Sequence, residues 1–352
     1  MTGPTTINIL MTGAGAPGGP GIYKCLQQEA RFRVTTADAN PGMGGRYGRS
    51  VFETIPSATD PFFAAGVLSL CRKKDITVIL PLVTKELIPL AAHREEFAAT
   101  GILLPLSPLA SLEIANDKAK LYQFLEWRGI PVPAYKIIDG SASDAMAQFR
   151  DAVKETGYPG KAVCFKPAVS NGSRGFRILD PLVNEAELLF REKPSAAYTG
   201  YEHAVSMLSA APFPELLVCE YLPGEEFSVD CLANKGDTVI AVPRLRKRMV
   251  NGISTEGEFI KEESIIRYCT QVIKELQLHG NIGIQVKRAA SGEFLILEIN
   301  PRVQGTISAG LGAGINLPVL AIKQELGLSI TPDELNVKWG TRFARHWEEI
   351  FY

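Results

Sequence analysis

Short runs of β-branched and apolar residues alternate with longer amphipathic stretches through the first third of the chain, and that alternation predicts a parallel sheet covered by helices. Ile7 to Thr12 reads as the first strand. The glycine-rich stretch GAGAPGGPG follows, then an amphipathic segment from about Ile22 to Glu29 and a second strand near Arg33 to Ala37 that ends at Asp38. This is a βαβ unit. Asp60-Pro61 marks a helix start, with Asp as N-cap and Pro at the first helical position, and the helix runs to the basic Arg72, Lys73 and Lys74. A strand at Thr77 to Leu80 comes next. Gly101 to Leu104 and the Pro105 to Pro108 punctuation close the region, which puts the first boundary near residue 110.

Beyond that boundary the pattern changes. Asn116-Asp117 caps a helix running to Gly129, where glycine and Pro131 stop it, and Ser141 to Gly157 reads as a second helix. Strand signals at Ala162 to Lys166, Phe176 to Leu179, Leu216 to Glu220 and Phe227 to Leu232 alternate with a helix near Glu185 to Arg191, an α+β arrangement. Strands near Val239 to Pro243, Gly283 to Lys287 and Phe294 to Ile299 follow, with the helix Glu262 to Leu278 among them. The last twenty residues, charged and carrying Trp339 and Trp347, are expected to pack on the surface of the second half.

A chain of 352 residues predicts two or three domains at roughly 100 to 200 residues each. Lys plus Arg is 37 and Asp plus Glu is 38, for a net charge of -1. With no block of like charges, neither nucleic acid nor an anionic membrane surface is an expected partner. Apolar residues make up 46%, but the longest apolar stretches, such as that around Phe62 to Cys71, fall short of the roughly 20 residues that span a bilayer. The N-terminus lacks a basic region followed by an apolar one, so a cytoplasmic location is expected. The six cysteines (Cys25, Cys71, Cys164, Cys219, Cys231, Cys269) form no CxxC pair and the four histidines share no ligand spacing. Buried free thiols are expected, rather than a disulfide frame or a zinc site.

Chemistry enters through several separated segments. Gly13-Ala14-Gly15-Ala16-Pro17-Gly18 is a GxGxxG after a strand, with Asp38 twenty residues past the last glycine, which is the spacing of a dinucleotide fingerprint. Any βα turn that meets a small ligand or packs closely needs such glycines as well, and Pro17 and Pro20 crowd the helix start. Phe165-Lys166-Pro167 ends a strand before Ser170-Asn171-Gly172-Ser173-Arg174-Gly175, a small hydrogen-bonding loop able to wrap phosphate oxygens. Lys166 is either a phosphate ligand or a solvated strand-end lysine. Glu220-Tyr221-Leu222-Pro223-Gly224-Glu225-Glu226 offers backbone to an adenine edge and a carboxylate to ribose, or is merely a turn. In LILEINPR, Glu298 and Asn300 alternate onto one side of a strand end, where their oxygens could hold Mg²⁺. Arg244, Arg246, Lys247 and Arg248 form a cationic cluster before a glycine turn. At strand spacing the three arginines share a face, either as a substrate or phosphate site or as a solvated basic edge.

Taken in order, the TGAGAPGG loop, the DK before the helix that ends in GIPVP, KPAVSNGSRG, EYLPGEEFSVD, the GIST turn, IQV and EINPR resemble the ATP-grasp superfamily. They are most similar to one ATP-binding half of the carbamoyl phosphate synthetase large subunit, over roughly residues 7 to 328. The resemblance implies a Rossmann-like pre-ATP-grasp domain (1–110) followed by the two-subdomain ATP-grasp fold. The small subdomain with linker helix and phosphate loop would cover 111–215, the subdomain with the metal site 216–330, and a tail 331–352. It also implies roles. Lys118 and Lys166 would contact nucleotide phosphates under the loop of Ser170, Asn171, Gly172, Ser173 and Gly175. Glu220 and the backbone of Tyr221 and Leu222 would hold adenine, and Glu226 the ribose. Gln285, Glu298 and Asn300 would ligate Mg²⁺ (or Mn²⁺), with Arg302 stabilising the transferring phosphoryl group. Gly15, Arg244, Arg246, Lys247 and Ser254 are the candidates for substrate.

The activity so implied is ATP-dependent joining of a small carboxylate to an amine through an acyl phosphate, releasing ADP and phosphate. Two departures matter. The chain holds one grasp unit where the synthetase has two, so carbamoyl phosphate is not the expected product, and one metal position is the neutral Gln285 where many relatives place an acid. A non-catalytic ATP sensor and a nicotinamide-dependent oxidoreductase built on GAGAPG remain as alternatives. The substrates and the oligomeric state, a homodimer included, stay open.

Overall fold

The computed structural model describes residues 6–47, 51–170, 172–191, 197–250, 252–346, 349 and 351. Its contacts divide the chain into two compact units, the first made of residues 1–116, 226–286 and 298–352, the second of 117–225 and 287–297.

The first unit opens with a parallel sheet of β1 (Ile7–Thr12), β2 (Phe32–Asp38), β3 (Val51–Thr54) and β4 (Val78–Pro81), in the order β3-β2-β1-β4. Ile9, Leu10 and Met11 on β1 are wholly buried, as a central parallel strand covered on both faces requires. Around it lie α1 (Gly19–Leu26), α2 (Phe63–Lys73), α3 (Thr84–Ala92), α4 (Arg94–Ala99) and α5 (Leu109–Ala115). The first helix begins at Gly19 with Pro20 in its first turn, earlier than the hydrophobic pattern alone predicts. The second begins at Phe63 with Phe62 in the N-cap position, so Asp60-Pro61 lies ahead of the helix rather than capping it, and Asp60 Oδ1 accepts from the Phe62 N–H at 2.8 Å in the preceding turn.

In the second unit, Asp117 caps α6 (Lys118–Trp127), accepting from the N–H groups of Ala119 and Lys120. An antiparallel sheet follows, built from β5 (Tyr135–Ile138), β6 (Val163–Pro167), β7 (Arg177–Leu179) and β8 (Leu216–Glu220) in the order β5-β8-β6-β7. With it come α7 (Ala145–Thr156), α8 (Glu185–Arg191) and α9 (Tyr201–Ser209). Val163, Phe165, Leu216 and Val218 alternate onto one face and pack with Phe149 and Val153 of α7, leaving the opposite face for Cys164, Lys166 and Cys219.

The remaining strands are β9 (Glu226–Asn234), β10 (Asp237–Val250), β11 (Ile253–Phe259), β12 (Gly280–Arg288), β13 (Phe294–Asn300) and β14 (Arg342–Ala344), in the sheet order β13-β12-β9-β10-β11-β14. Two helices, α10 (Glu263–Glu275) and α11 (Leu317–Glu325), accompany them. Residues 287–297, the tip of the β12–β13 hairpin, belong to the second unit. The tail does not simply lie on a surface as the sequence suggests, because Arg342–Ala344 adds an antiparallel edge strand to β11. Trp347 falls outside the described residues. Among the described residues no helix is long and apolar enough to cross a membrane.

Candidate functional site

In the second unit the expected nucleotide residues gather around β6 and its loop. Lys166 leaves the end of β6 on the face away from the helices. Its ammonium donates to the Tyr122 hydroxyl at 3.1 Å and to the Leu297 carbonyl at 3.0 Å, and it is only 8% exposed. Burial pushes this ammonium down, and Tyr122 with the thiols of Cys219 and Cys164 more than offsets it, so its pKa lies above the ordinary lysine value. The solvated strand-end reading is therefore excluded. Tyr122 was not legible as a site residue. Its hydroxyl in turn donates to the carbonyls of Ile296 and Leu297, tying α6 to the hairpin tip.

Lys118, also buried, donates its side-chain N–H to the Ser170 carbonyl at 2.9 Å, which anchors the start of the loop after β6. Gly172, Ser173 and Gly175 all take left-handed backbone conformations, with φ of 66°, 60° and 75°. A side chain at Gly175 would strike the Pro167 ring at 2.7 Å, so glycine is required there. Asn171, expected in this loop, lies outside the described residues. Glu220 closes β8, its Oε1 accepting from the Ala134 N–H at 2.9 Å. Tyr221 and Leu222 follow, Leu222 buried and Tyr221 carrying the Lys287 ammonium 4.6 Å above its ring. Lys287 went unnoticed in the sequence, although its spacing of two from Gln285 on one strand was a usable signal.

In the first unit a second group surrounds the end of β13. Asn300 donates to Glu298 Oε1 at 3.3 Å, and the Arg302 guanidinium donates to Asn300 Oδ1 at 3.1 Å and to Thr84 Oγ1 at 3.0 Å. Burial pushes the Arg302 pKa down and Glu298 opposes the shift. The basic run on β10 separates by residue. Arg246 bonds Glu226, Gln285 Oε1 at 3.2 Å, Ser254 Oγ at 3.0 Å and the Gly252 carbonyl. Lys247 pairs with Glu258, and Arg248 with Glu256 at the surface. Register shifts on either side of Arg248 break the shared face that strict alternation implies. Arg244, expected among the substrate residues, is wholly buried. It pairs with Asp230 at 3.3 Å, with its guanidinium carbon 5.5 Å from the centre of the Phe343 ring. No surface of it is left to meet a substrate.

The glycine loop of the first unit has its own partners. The Gly15 N–H donates to Asp38 Oδ2 at 2.7 Å, and Asp38 Oδ1 accepts from the Asn40 N–H at 2.9 Å, so the carboxylate that a nicotinamide ribose would need is engaged by its own backbone. Thr12 Oγ1 donates to Glu86 Oε2 at 2.6 Å. Burial pushes Glu86 up to about 8, with Thr12 opposing and Asp38 adding to the shift. Nothing in the local sequence marks Glu86, because its environment depends on a strand end 74 residues earlier.

The donor set suits a hard cation. Among the described residues no three His, Cys, Asp or Glu side chains gather as a metal cage. One carboxylate, Glu298, beside the Asn300 carboxamide instead fits Mg²⁺, which takes few protein oxygens and keeps phosphate oxygens and water. The Gln285 and Asn300 oxygens both accept from arginines, Arg246 and Arg302, and each would have to leave its guanidinium or share it with the ion.

Residues 212–347 match the family described as ATP-grasp in the biosynthetic pathway with Ter operon, and residues 9–104 match the PylC-like, N-terminal domain. The carbamoyl phosphate synthase large chain of Methanobrevibacter smithii is 24% identical over 292 residues, 79% of this chain and 25% of that one. The chain thus spans about a quarter of that relative's length. Among solved structures, the ADP complex of N5-carboxyaminoimidazole ribonucleotide synthetase superposes with a TM-score of 0.68 at 17% identity, covering 95% of this chain and 80% of the other. The biotin carboxylase domain of Hydrogenobacter thermophilus 2-oxoglutarate carboxylase, with MgADP and bicarbonate, gives 0.67 at 16%, covering 96% and 74%. An ATP-grasp match over residues 212–347, preceded by a PylC-like N-terminal match over residues 9–104, follows the order that the motifs predicted, and the solved neighbours share the fold of this chain.

Proposed function

We propose that this chain is an ATP-dependent carboxylate–amine ligase that works through an acyl phosphate. A carboxylate oxygen attacks the γ-phosphorus in line, the bond to the β-phosphate oxygen breaks, and ADP leaves. The amine nitrogen then attacks the acyl carbon and phosphate departs. Chemistry of this kind rests on positioning and charge neutralisation and needs no side-chain nucleophile.

In this reading Lys118, Lys166 and the N–H groups of the loop at Ser170, Gly172, Ser173 and Gly175 hold the phosphates. Glu220 and the backbone of Tyr221 and Leu222 meet adenine, and Glu226 meets ribose. Glu298 and Asn300, with Gln285 once released from Arg246, would hold Mg²⁺ or Mn²⁺, which supplies charge neutralisation along the phosphates. Arg302 faces the transferring phosphoryl group, and Gly15, Arg246, Lys247 and Ser254 remain candidates toward the substrates. The observation that most supports the reading is the hydrogen-bonded line of Glu298, Asn300 and Arg302, which puts hard oxygen donors beside a buried guanidinium at one strand end. The synthetase and carboxylase neighbours, whose structures hold ADP, support ATP as the nucleotide.

The test is a screen of amino acids and small carboxylates in pairs for ADP release, preceded by a thermal shift with MgATP and with NAD. A ligand at about 100 times its Kd stabilises by roughly 2.7 kcal/mol. Stabilisation by NAD and none by MgATP would overturn the nucleotide assignment. MgATP binding with no stimulation by any pair would leave a sensor in place of a ligase.

A further inference from the structure

All six cysteines are buried and free, and two of them face each other. On the antiparallel pair β6–β8, Cys164 stands opposite Cys219. Four residues along the same register the Ala168 N–H donates to the Glu215 carbonyl at 2.9 Å. Hydrogen-bonded and open pairs alternate along an antiparallel ladder, so the cysteines occupy a hydrogen-bonded pair, with Cα atoms about 5.5 Å apart. That separation lies within the roughly 4.4–6.8 Å a disulfide spans. Opposed Cβ atoms of a hydrogen-bonded pair sit toward the wide end of about 4.5–5.5 Å and a disulfide needs about 3.8 Å, so closure asks the Cβ atoms to approach by ~1.5 Å.

The Cys219 side chain opposite it, with the Lys166 and Lys287 ammoniums, holds Cys164 below the ordinary thiol range despite its burial. Cys219, beside Cys164 and buried, is pushed well up. The Cys164 thiol donates to the Glu220 carbonyl at 3.7 Å, and Lys166 is two residues along the same face of β6.

We propose that Cys164 and Cys219 are a reversible dithiol–disulfide site closed by hydroperoxides, and that closing it weakens nucleotide binding. The Cys164 thiolate attacks one peroxide oxygen, the O–O bond breaks, and Cys164 becomes a sulfenic acid. Cys219 then attacks that sulfur, the S–O bond breaks, and water leaves. Two thiols and one hydrogen peroxide give one disulfide and two waters, the sulfurs losing the two electrons that the O–O bond gains. The forced approach of the strands strains the bond and makes it easy to reduce, which suits a reversible site. The effect on nucleotide rests on the assignment of Lys166 and Glu220 proposed above, whereas the cross-link does not.

Reduced wild-type protein is treated with hydrogen peroxide, mapped by mass spectrometry after thiol blocking, and titrated with MgATP before and after. A Cys164–Cys219 linkage that dithiothreitol removes is expected, with MgATP affinity at least tenfold weaker in the linked form and restored on reduction. Cys164→Ala should keep its reduced-state affinity through the same treatment. Peroxide that yields no such linkage, or only a sulfinic acid on Cys164, overturns the site. Linkage with unchanged affinity overturns its effect on nucleotide. If the reduced protein fails to bind MgATP, the proposed function falls on that result, and the peptide map still decides the disulfide.

Discussion

Replacing Arg244 with methionine separates a packing role from a substrate role, and the structure sets the size of the effect. Both members of the Arg244–Asp230 pair are almost fully buried, at 1% and 3% side-chain exposure. The guanidinium reaches a single carboxylate oxygen through two nitrogens, each at 3.3 Å. Among the described residues Asp230 Oδ1 and Arg244 Nη1 have no hydrogen-bond partner. Arg244→Met therefore strands a carboxylate in an apolar interior, which costs about 3–5 kcal/mol. Burial already pushes the Asp230 pKa up, with Arg244 opposing the shift. Without the arginine the carboxyl takes up a proton in the folded state more readily than in the unfolded one, so the variant's deficit should shrink as pH falls, by at most about 1.4 kcal/mol per unit. Arg244→Met with Asp230→Leu removes both polar groups and should recover stability to within about 1 kcal/mol of wild type or exceed it, since a loosely bonded buried pair is seldom better than packed hydrocarbon. Urea unfolding at two pH values measures all three proteins. A loss below about 1 kcal/mol in Arg244→Met, accompanied by a raised KM for a substrate, would refute the packing role.

Lys166→Ala should lower ADP-forming turnover by about 10² to 10³, on the order of 3–4 kcal/mol of lost charge stabilisation, with the far-ultraviolet circular dichroism unchanged. An effect below tenfold would mean that the ammonium serves Tyr122 and Leu297 alone. Glu298→Gln keeps the shape and removes one negative charge, so turnover should collapse while ATP affinity weakens modestly. Arg302→Ala should reduce kcat more than it raises KM, and equal changes in both would place it in ground-state binding. Glu86, pushed up by burial to about 8 from 4.5, holds its proton in the folded protein where the unfolded chain has lost it. Its contribution is thus fully favourable below about pH 4.5 and is lost as pH rises toward 8. Glu86→Gln should flatten the fall in Tm over that range, and parallel curves for the two proteins would count against it.

Strand positions were legible wherever a run of apolar residues stood between turn residues. Leu216–Glu220 appears as read, Phe294–Asn300 differs by one residue, and Asp117 caps the helix its position promised. What escaped were elements whose local signals conflict. The helix Thr84–Ala92 holds Pro89 near its end, which the sequence presents as a breaker. Ile253–Phe259 alternates serine, threonine and glutamate around a glycine and reads as a turn, yet pairing with β10 and β14 makes it a strand. The site divides the same way. Residues in contiguous motifs, such as Lys166 with its loop or Glu298 with Asn300 and Arg302, could be named from spacing. Arg246 with Glu226, Gln285 and Ser254, or Tyr122 beneath Lys166, could not, because each contact joins separate elements.

The make-up of the first unit from three stretches of chain also bears on how it is made. Ile22 and Leu26 of α1 share a core with Leu317 and Leu320 of α11, and Asn316 donates to the Cys25 carbonyl at 2.8 Å across a separation of 291 residues. A ribosome adding about 5–20 residues per second takes roughly 15–60 s to deliver that cover. Through that interval the growing polypeptide carries a greasy helix face with its partner still untranslated, so its early life is a matter of protection by chaperones or by speed. Stop codons shortly after residue 297 should yield an insoluble product rather than a smaller working protein.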